Sequence, residues 1–226
     1  MKRWWFYIAF CFCASATAAL SEYWLIQEDF IKLGKREFYL EKKQEDLSKQ
    51  KAWLKDKKEL FDIIGAEDLE NPQYVFLAPL KNLASLSFYE PISHREKSRN
   101  VLLETTMHFQ IFSLHQFLPE CSLKEETVFI TTKPYFFYAL YDITLGSQEI
   151  FEKALKEASI RCSKDSISWC VFKSLLAGST PKYLVCLSFA TKEELKEWSM
   201  EKVLPEITLN DIFRDKKSGW MKRLSF

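Results

Sequence analysis

Glycine is scarce in this chain, with 5 residues in 226. Loops that cradle phosphate need glycine where backbone approaches the ligand, and neither G-x-G-x-x-G nor G-x-x-x-x-G-K-[ST] occurs. The serine nucleophile elbow G-x-S-x-G, the zinc-protease pattern H-E-x-x-H and the redox pair C-x-x-C are also missing. Histidine is limited to His94, His108 and His115. Formal net charge is +1, so a nucleic-acid partner has no electrostatic support. These absences exclude the commoner nucleotide-binding, metalloprotease and hydrolase templates. They leave no catalytic, cofactor-binding or metal motif, and the chain reads as non-catalytic with no cofactor.

What is present begins with location. Lys2-Arg3 forms a positive start, and Trp4 to Leu20 carries no charge. Ala16-Thr17-Ala18 is an A-x-A pattern of the kind signal peptidase cleaves, giving a mature start at Ala19. The competing reading is an uncleaved signal-anchor. Seventeen residues span about 26 Å, the short limit for a bilayer, and Tyr23-Trp24 would then sit at the far interface. Both readings keep Lys and Arg in the cytoplasm and export the rest. The location expected is the bacterial inner membrane facing the periplasm, with membrane attachment through residues 4–20. If the chain is cleaved after Ala18, it is periplasmic or secreted.

A seven-residue repeat follows: Ile26, Leu33, Leu40, Leu47, Leu54 and Phe61. Residues 21–64 contain no proline and one glycine, Gly34, and are rich in Lys, Glu, Gln and Leu. That composition favours one long helix of about 60 Å with an interaction stripe for a protein partner or a second copy. The positions four further on, Phe30, Glu37, Gln44, Lys51 and Lys58, are mostly polar, so half of a normal seam is missing. A solvated helix resting its narrow apolar edge on its own domain is the alternative.

Gly65-Ala66-Glu67 and Asn71-Pro72 are expected to break this helix. Residues 65–100 are expected to be a linker with an edge segment at Tyr74 to Leu80. Residues 101–118 fit a strand at the start and a helix face near Leu118. Beyond them, Thr127 to Thr131, Tyr135 to Thr144, Ile167 to Leu175, Tyr183 to Phe189 and Ile207 to Phe213 have strand character. Helices are expected over Gln148 to Ser159, with an apolar edge of Ile150, Phe151, Ala154, Leu155 and Ala158, and after the capping box Thr191-x-x-Glu194. The order β-α-β-β-α-β over 101–226 is the ferredoxin-like split βαβ pattern. The fold class expected is α+β: a targeting or membrane helix over 1–20, a long charged coiled-coil-like helix over 21–64, and a small ferredoxin-like βαββαβ domain.

Chemistry candidates are few. Cys121, Cys162, Cys170 and Cys186 are an even set that suggests disulfides in an exported chain, Cys162 with Cys170 being the most local pairing. On a helix His108 and His115 would lie two turns apart, too far for one metal. Pairing His115 with Cys121 as a nucleophile finds no activating neighbour. Glu125-Glu126 and Glu193-Glu194 read as solvated surface. Tyr135-Phe136-Phe137-Tyr138 with Tyr141 would alternate faces on a strand, so the sheet is either covered on both sides or presents a partner surface.

Taken together, the layout resembles that of the alignment proteins of type II secretion and type IV pili, and of cell-division scaffolds. It implies a non-catalytic scaffold in a bacterial envelope machine. A secreted protein that binds a ligand or host component is the alternative.

Overall fold

Tyr23 to Ile31 alternates along its length. Trp24 and Ile26 are buried on one side, and Asp29 and Ile31 on the other. Successive side chains of a strand point to opposite faces, so buried residues at both even and odd positions mark a strand covered on both sides, and this segment is β1. In this computed structural model the described residues are 22–56, 64–68, 71, 73–80, 82–86, 105–123, 133–162, 168–175, 180–197 and 212–224. After β1 (Tyr23–Ile31) come α1 (Arg36–Asp56), β2 (Ile64–Asp68), β3 (Gln73–Leu80) and β4 (Met107–Phe117). The second half holds β5 (Tyr135–Ile143), α2 (Gln148–Cys162), β6 (Ser168–Ser174), β7 (Lys182–Phe189), α3 (Lys192–Glu197) and β8 (Phe213–Arg223).

The eight strands close into a barrel in the order β1-β3-β2-β8-β5-β7-β6-β4, with every neighbouring pair antiparallel. Each half has the same internal order, β4-β1-β3-β2 and β8-β5-β7-β6. The halves join where β2 meets β8 and β4 meets β6. Closure removes the exposed sheet edges that each half alone would carry.

Three apolar clusters follow from strand alternation. Phe137, Ala139, Tyr141, Val171, Tyr183, Val185 and Leu187 face outward and are covered by α2. That helix presents Phe151, Ala154, Leu155 and Ala158, the i, i+3, i+4, i+7 face of a helix lying on a sheet. Phe151 and Leu155 each contribute about 1.5–3 kcal/mol on burial, and the alanines about 0.8 kcal/mol per methyl. Gly146, at φ +90, makes the turn into α2 at a conformation other residues resist. The second outer cluster sits under α1: Tyr39 and Leu47 pack on Ile31, Tyr74, Phe76, Ala78 and Met107. The third fills the barrel interior with Trp24, Ile26, Val75, Leu77, Phe117, Phe136, Tyr138, Phe172, Leu184 and Met221.

Helix α1 is also held by a buried charge network. Asp29, fully buried, accepts hydrogen bonds from Tyr39 Oη, Gln27 Nε2 and Gln110 Nε2, and pairs with Lys43 Nζ at 3.3 Å. Lys43 also stands over the Phe76 ring, 4.2 Å from its centroid. Burial and the Asp29 charge push the Tyr39 hydroxyl well above its ordinary pKa.

This architecture corrects several expectations. The long coiled-coil-like helix over 21–64 is not there: residues 23–31 are a barrel strand and 64–68 another, with α1 between them. Ile26 lies inside the barrel, Leu33 is 87% exposed in the turn before α1, Leu40 is half-buried, and Leu47 packs on the sheet. Leu54 lies within α1, and Phe61 falls outside the described residues. The small separate ferredoxin-like domain is likewise overturned. Its strands form half of a barrel whose other half comes from the stretch assigned to helix and linker, because their inner faces need a second sheet to cover them.

At the level of elements, Gly65-Ala66-Glu67 belongs to β2, and Tyr74 to Leu80 to β3, which has a strand on either side. Pro79 lies beyond Leu77, the last β3 residue with a β2 partner among the described residues, where a strand tolerates a missing N–H on that side. The helix face near Leu118 is strand β4 followed by a 3-10 turn at Pro119–Cys121. Ile150 is exposed rather than on the apolar edge of α2. The strand expected at Thr127 to Thr131 lies outside the described residues.

The inner-membrane expectation is also corrected. Among the described residues no helix is long and apolar enough to cross a membrane. Tyr23 and Trp24, expected at the membrane interface, open β1, with Trp24 buried inside the barrel. Residues 4–20 lie outside the described residues.

Candidate ligand site inside the barrel

The barrel interior is incompletely filled. At one end Trp24, Phe117 and Phe172 pack edge-on and tilted, with ring centroids 5.6 Å apart in both pairs. Toward the other end lies a cavity of about 270 Å³, far more than the roughly 10–15 Å³ that one water needs. Ile26, Ala66, Val75, Leu77, Phe136, Leu184 and Met221 make its apolar walls. Glu28, Lys182 and Lys217 stand at its mouth, with side chains 21%, 38% and 43% exposed.

Few polar groups reach the cavity deeper down. His115 projects from β4 and is 3% exposed. Its Nε2 meets Ser113 Oγ at 2.9 Å, while its Nδ1 has no partner. Burial pushes the imidazole pKa down to about 4, so the ring is neutral at physiological pH. Three strands further round the barrel, Tyr138 on β5 donates from its hydroxyl to Asp68 Oδ2 at 3.3 Å. Asp68 Oδ1 accepts from the Asn71 backbone N–H at 2.9 Å, which fixes the carboxylate. Gly219 makes room for this pair. A Cβ there would lie 2.7 Å from Tyr138 Cε1 and 3.0 Å from Asp68 Oδ2.

At the mouth, Glu28 Oε2 accepts from Gln73 Nε2 at 2.6 Å and lies 3.8 Å from Lys217 Nζ. Lys217 Nζ also donates to Gln73 Oε1 at 3.2 Å and stands 5.1 Å from the Phe30 ring centroid. Phe30 stacks on Phe109 with centroids 4.2 Å apart. Lys182 pairs loosely with Asp142 at 3.8 Å. Strand β4 meets β6 only from His115 to Phe117. Above that point Phe109 and Ile111 stay 54% and 42% exposed and form an apolar lip.

The residues singled out in the sequence are scattered. His108 and His115 are both on β4, seven positions apart, and so on opposite faces about 23 Å apart. His115 lines the cavity, His108 is exposed, and His94 falls outside the described residues. Cys121, Cys170 and Cys186 are buried free thiols, and Cys162 closes α2. Cys170 and Cys186 lie opposite each other on β6 and β7, and Cys186 lines the cavity with its thiol pushed up to about 12 by burial. Cys121 lies beneath α2, where its thiol donates to the Glu152 carbonyl at 3.5 Å. Burial and the nearby Glu120 and Glu152 push that thiol to about 12, so it is no nucleophile. Members of the aromatic run are buried on both faces: Phe136 and Tyr138 point into the barrel, Phe137 and Tyr141 under α2. Among the described residues no cluster of three or more His, Cys, Asp or Glu could hold a metal. Glu28, Asp68, Lys182 and Lys217 were not marked by the sequence, and Tyr138 was marked only as a member of the aromatic run. Alternation over 24–30 was the available signal for Glu28.

An antiparallel eight-stranded barrel of two like halves, with an apolar cavity between them, defines the structural class. No family model matches the sequence, and no curated protein matches it. Solved structures do match. One is a protein from Fusobacterium nucleatum provisionally described as a monooxygenase, with TM-score 0.62, 9% identity and coverage of 90% of this chain and 92% of that one. Another is an anthrone oxidase-like protein, with TM-score 0.62, 8% identity and coverage of 92% and 93%. A third is a mutant chlorite dismutase from Candidatus Nitrospira defluvii, with TM-score 0.60, 7% identity and coverage of 94% and 95%. At such identities the likeness shows the fold.

The architecture nevertheless overturns the layout on which the non-catalytic scaffold reading was built. That reading rested on a membrane helix, a coiled coil and a separate domain, whereas the observed fold is one on which proteins described as enzymes are built.

Proposed function

We propose that this protein binds a small, mainly apolar molecule inside the barrel and acts on it as an enzyme. Binding is carried by one observation. Among the described residues lining the cavity, His115 Nδ1 is the buried polar side-chain atom without a hydrogen-bond partner. A buried polar group left unpaired costs about 1–3 kcal/mol, and a ligand atom bonded to it recovers that cost. Apolar walls with a few convergent polar groups are the ordinary make-up of a small-molecule site.

The catalytic half of the proposal is supported by the fold. Of the three similar structures named above, two are described by oxygenation or oxidation, as a monooxygenase and as anthrone oxidase-like. His115, neutral and anchored through Nε2, would orient a carbonyl or hydroxyl of the substrate rather than store a proton. The apolar walls would exclude water around it.

The test is a thermal-shift screen of aromatic and polycyclic ketones and phenols, followed by oxygen-uptake measurements on the binders. A ligand at 100 times its Kd stabilises by about 2.7 kcal/mol. His115→Phe should weaken ligands that carry a hydrogen-bonding group about tenfold and spare pure hydrocarbons. A screen in which no compound shifts the wild type would sink the binding proposal. Binding without turnover would leave a carrier.

A further inference from the structure

The distribution of charge around the cavity says more about the ligand, given that the barrel interior is a binding site. We infer that the ligand is an amphiphilic anion, with an apolar body in the cavity and a carboxylate- or sulfonate-class group at the mouth between Lys182 and Lys217.

Below the mouth the polar side chains that line the cavity are Ser113, His115, Tyr138, Ser174 and Cys186, none of them a fixed charge. A ligand charge placed at that depth would lose its hydration with no counter-ion, which is prohibitive. Any charge must therefore sit at the mouth, where the lining carries Lys182 and Lys217 against Glu28, with Asp142 beside Lys182 but outside the lining.

Glu28 is already engaged. It accepts from Gln73 at 2.6 Å, and its distance to Lys217 is a long 3.8 Å. Lys182 is held as loosely, 3.8 Å from Asp142. Such exposed, long pairs contribute little and cost little to rearrange. The two lysines lie on either side of β5: Lys217 on β8 pairs with Leu140, and Lys182 on β7 with Asp142 two positions on. Leu140 also lines the cavity, so the two ammonium groups bracket an apolar entrance. On the β1 and β4 side the stacked Phe30 and Phe109, with Ile111, add an apolar lip to the same entrance. An oxyanion lodged between two ammonium groups gains charge-assisted hydrogen bonds without leaving solvent altogether.

The experiment compares two fluorescent probes of one skeleton: anilinonaphthalene sulfonate and its uncharged counterpart, phenylnaphthylamine. The wild-type protein should bind the sulfonate about tenfold more tightly. The double variant Lys182→Gln, Lys217→Gln should bring the sulfonate down to the level of the amine and leave the amine within about twofold. Lys217→Arg should retain the preference, because charge rather than shape carries it. Raising salt from about 0.05 to 0.5 M should weaken only the sulfonate. Both lysines are substantially exposed, so these variants should fold.

Equal binding of both probes, unchanged by the lysine substitutions, would overturn the anion inference and leave the cavity proposal standing. Failure of both probes to bind would count against the cavity itself. Binding of both that survives Ala66→Phe, which puts a ring into the cavity wall, would do the same. Leu184→Phe serves as the second filler should the first fail to fold.

Discussion

His115 and Gly219 show how single positions answer to the barrel interior. The His115 imidazole is 3% exposed and stays neutral until about pH 4, whereas in the unfolded chain it takes up a proton near 6.5. Between those values the unfolded state binds more protons, so stability rises with pH there. The protein should be fully stable with respect to this group above about pH 6.5, and should lose up to about 3 kcal/mol as pH falls toward 4. Urea titrations of wild type and His115→Phe at a series of pH values check this. The variant's stability should fall less steeply over that window, and parallel curves would contradict the assignment. Gly219 faces Tyr138 and Asp68 so closely that Gly219→Ala should cost about 1–3 kcal/mol by the same measurement. A neutral result would mean that β8 moves freely away from β5.

Among the elements, α1 is the one most easily misread. Its Lys- and Glu-rich surface and the seven-residue spacing around it imitate a coiled coil, yet the spacing runs through a strand residue, Ile26, and a turn residue, Leu33. Leu47 reaches the sheet fully, at 3% exposure beside Tyr39 and Tyr74. Leu47→Ala should therefore cost about 2–4 kcal/mol of stability, whereas Leu33→Ala, at 87% exposure, should change it by less than about 0.5 kcal/mol. Comparable losses at both sites in chemical denaturation would argue that Leu33 meets a partner. Strand β1 was hidden for a related reason. Gln27, Glu28 and Asp29 interrupt its apolar alternation, and a polar stretch in a lysine-rich context looks helical. Those side chains are satisfied by distant ones: Asp29 by Tyr39, Lys43 and Gln110, and Glu28 by Gln73. Elements α2 and β7 were legible, because Phe151, Ala154, Leu155 and Ala158 keep the helical period and Tyr183 to Phe189 is uniformly apolar.

For the molecule as a whole, the decisive feature is closure. The inner faces of β5 to β8 present Phe136, Tyr138, Phe172, Leu184 and Met221, and these are covered by Trp24, Ile26, Val75, Leu77 and Phe117 of the other half. A fragment of residues 118–226 should therefore not unfold cooperatively as a monomer. It should be loose or associate through the exposed sheet, as read by near-ultraviolet circular dichroism and sedimentation. A monomeric fragment with a sharp transition would show that the half is self-sufficient.

What the sequence determined by itself is local. Its few glycines and missing motifs exclude the common catalytic templates, and its apolar periodicity sets out several strands and α2, because those signals depend on neighbours within one turn or one pleat. The tertiary structure alone decided that β1 is a strand, that two like halves share one interior, and that His115, Tyr138, Lys182 and Lys217 surround a single cavity. These residues come from four strands that meet only when the barrel closes. No spacing along the chain encodes which strands will be adjacent, since that depends on burying every inner face at once.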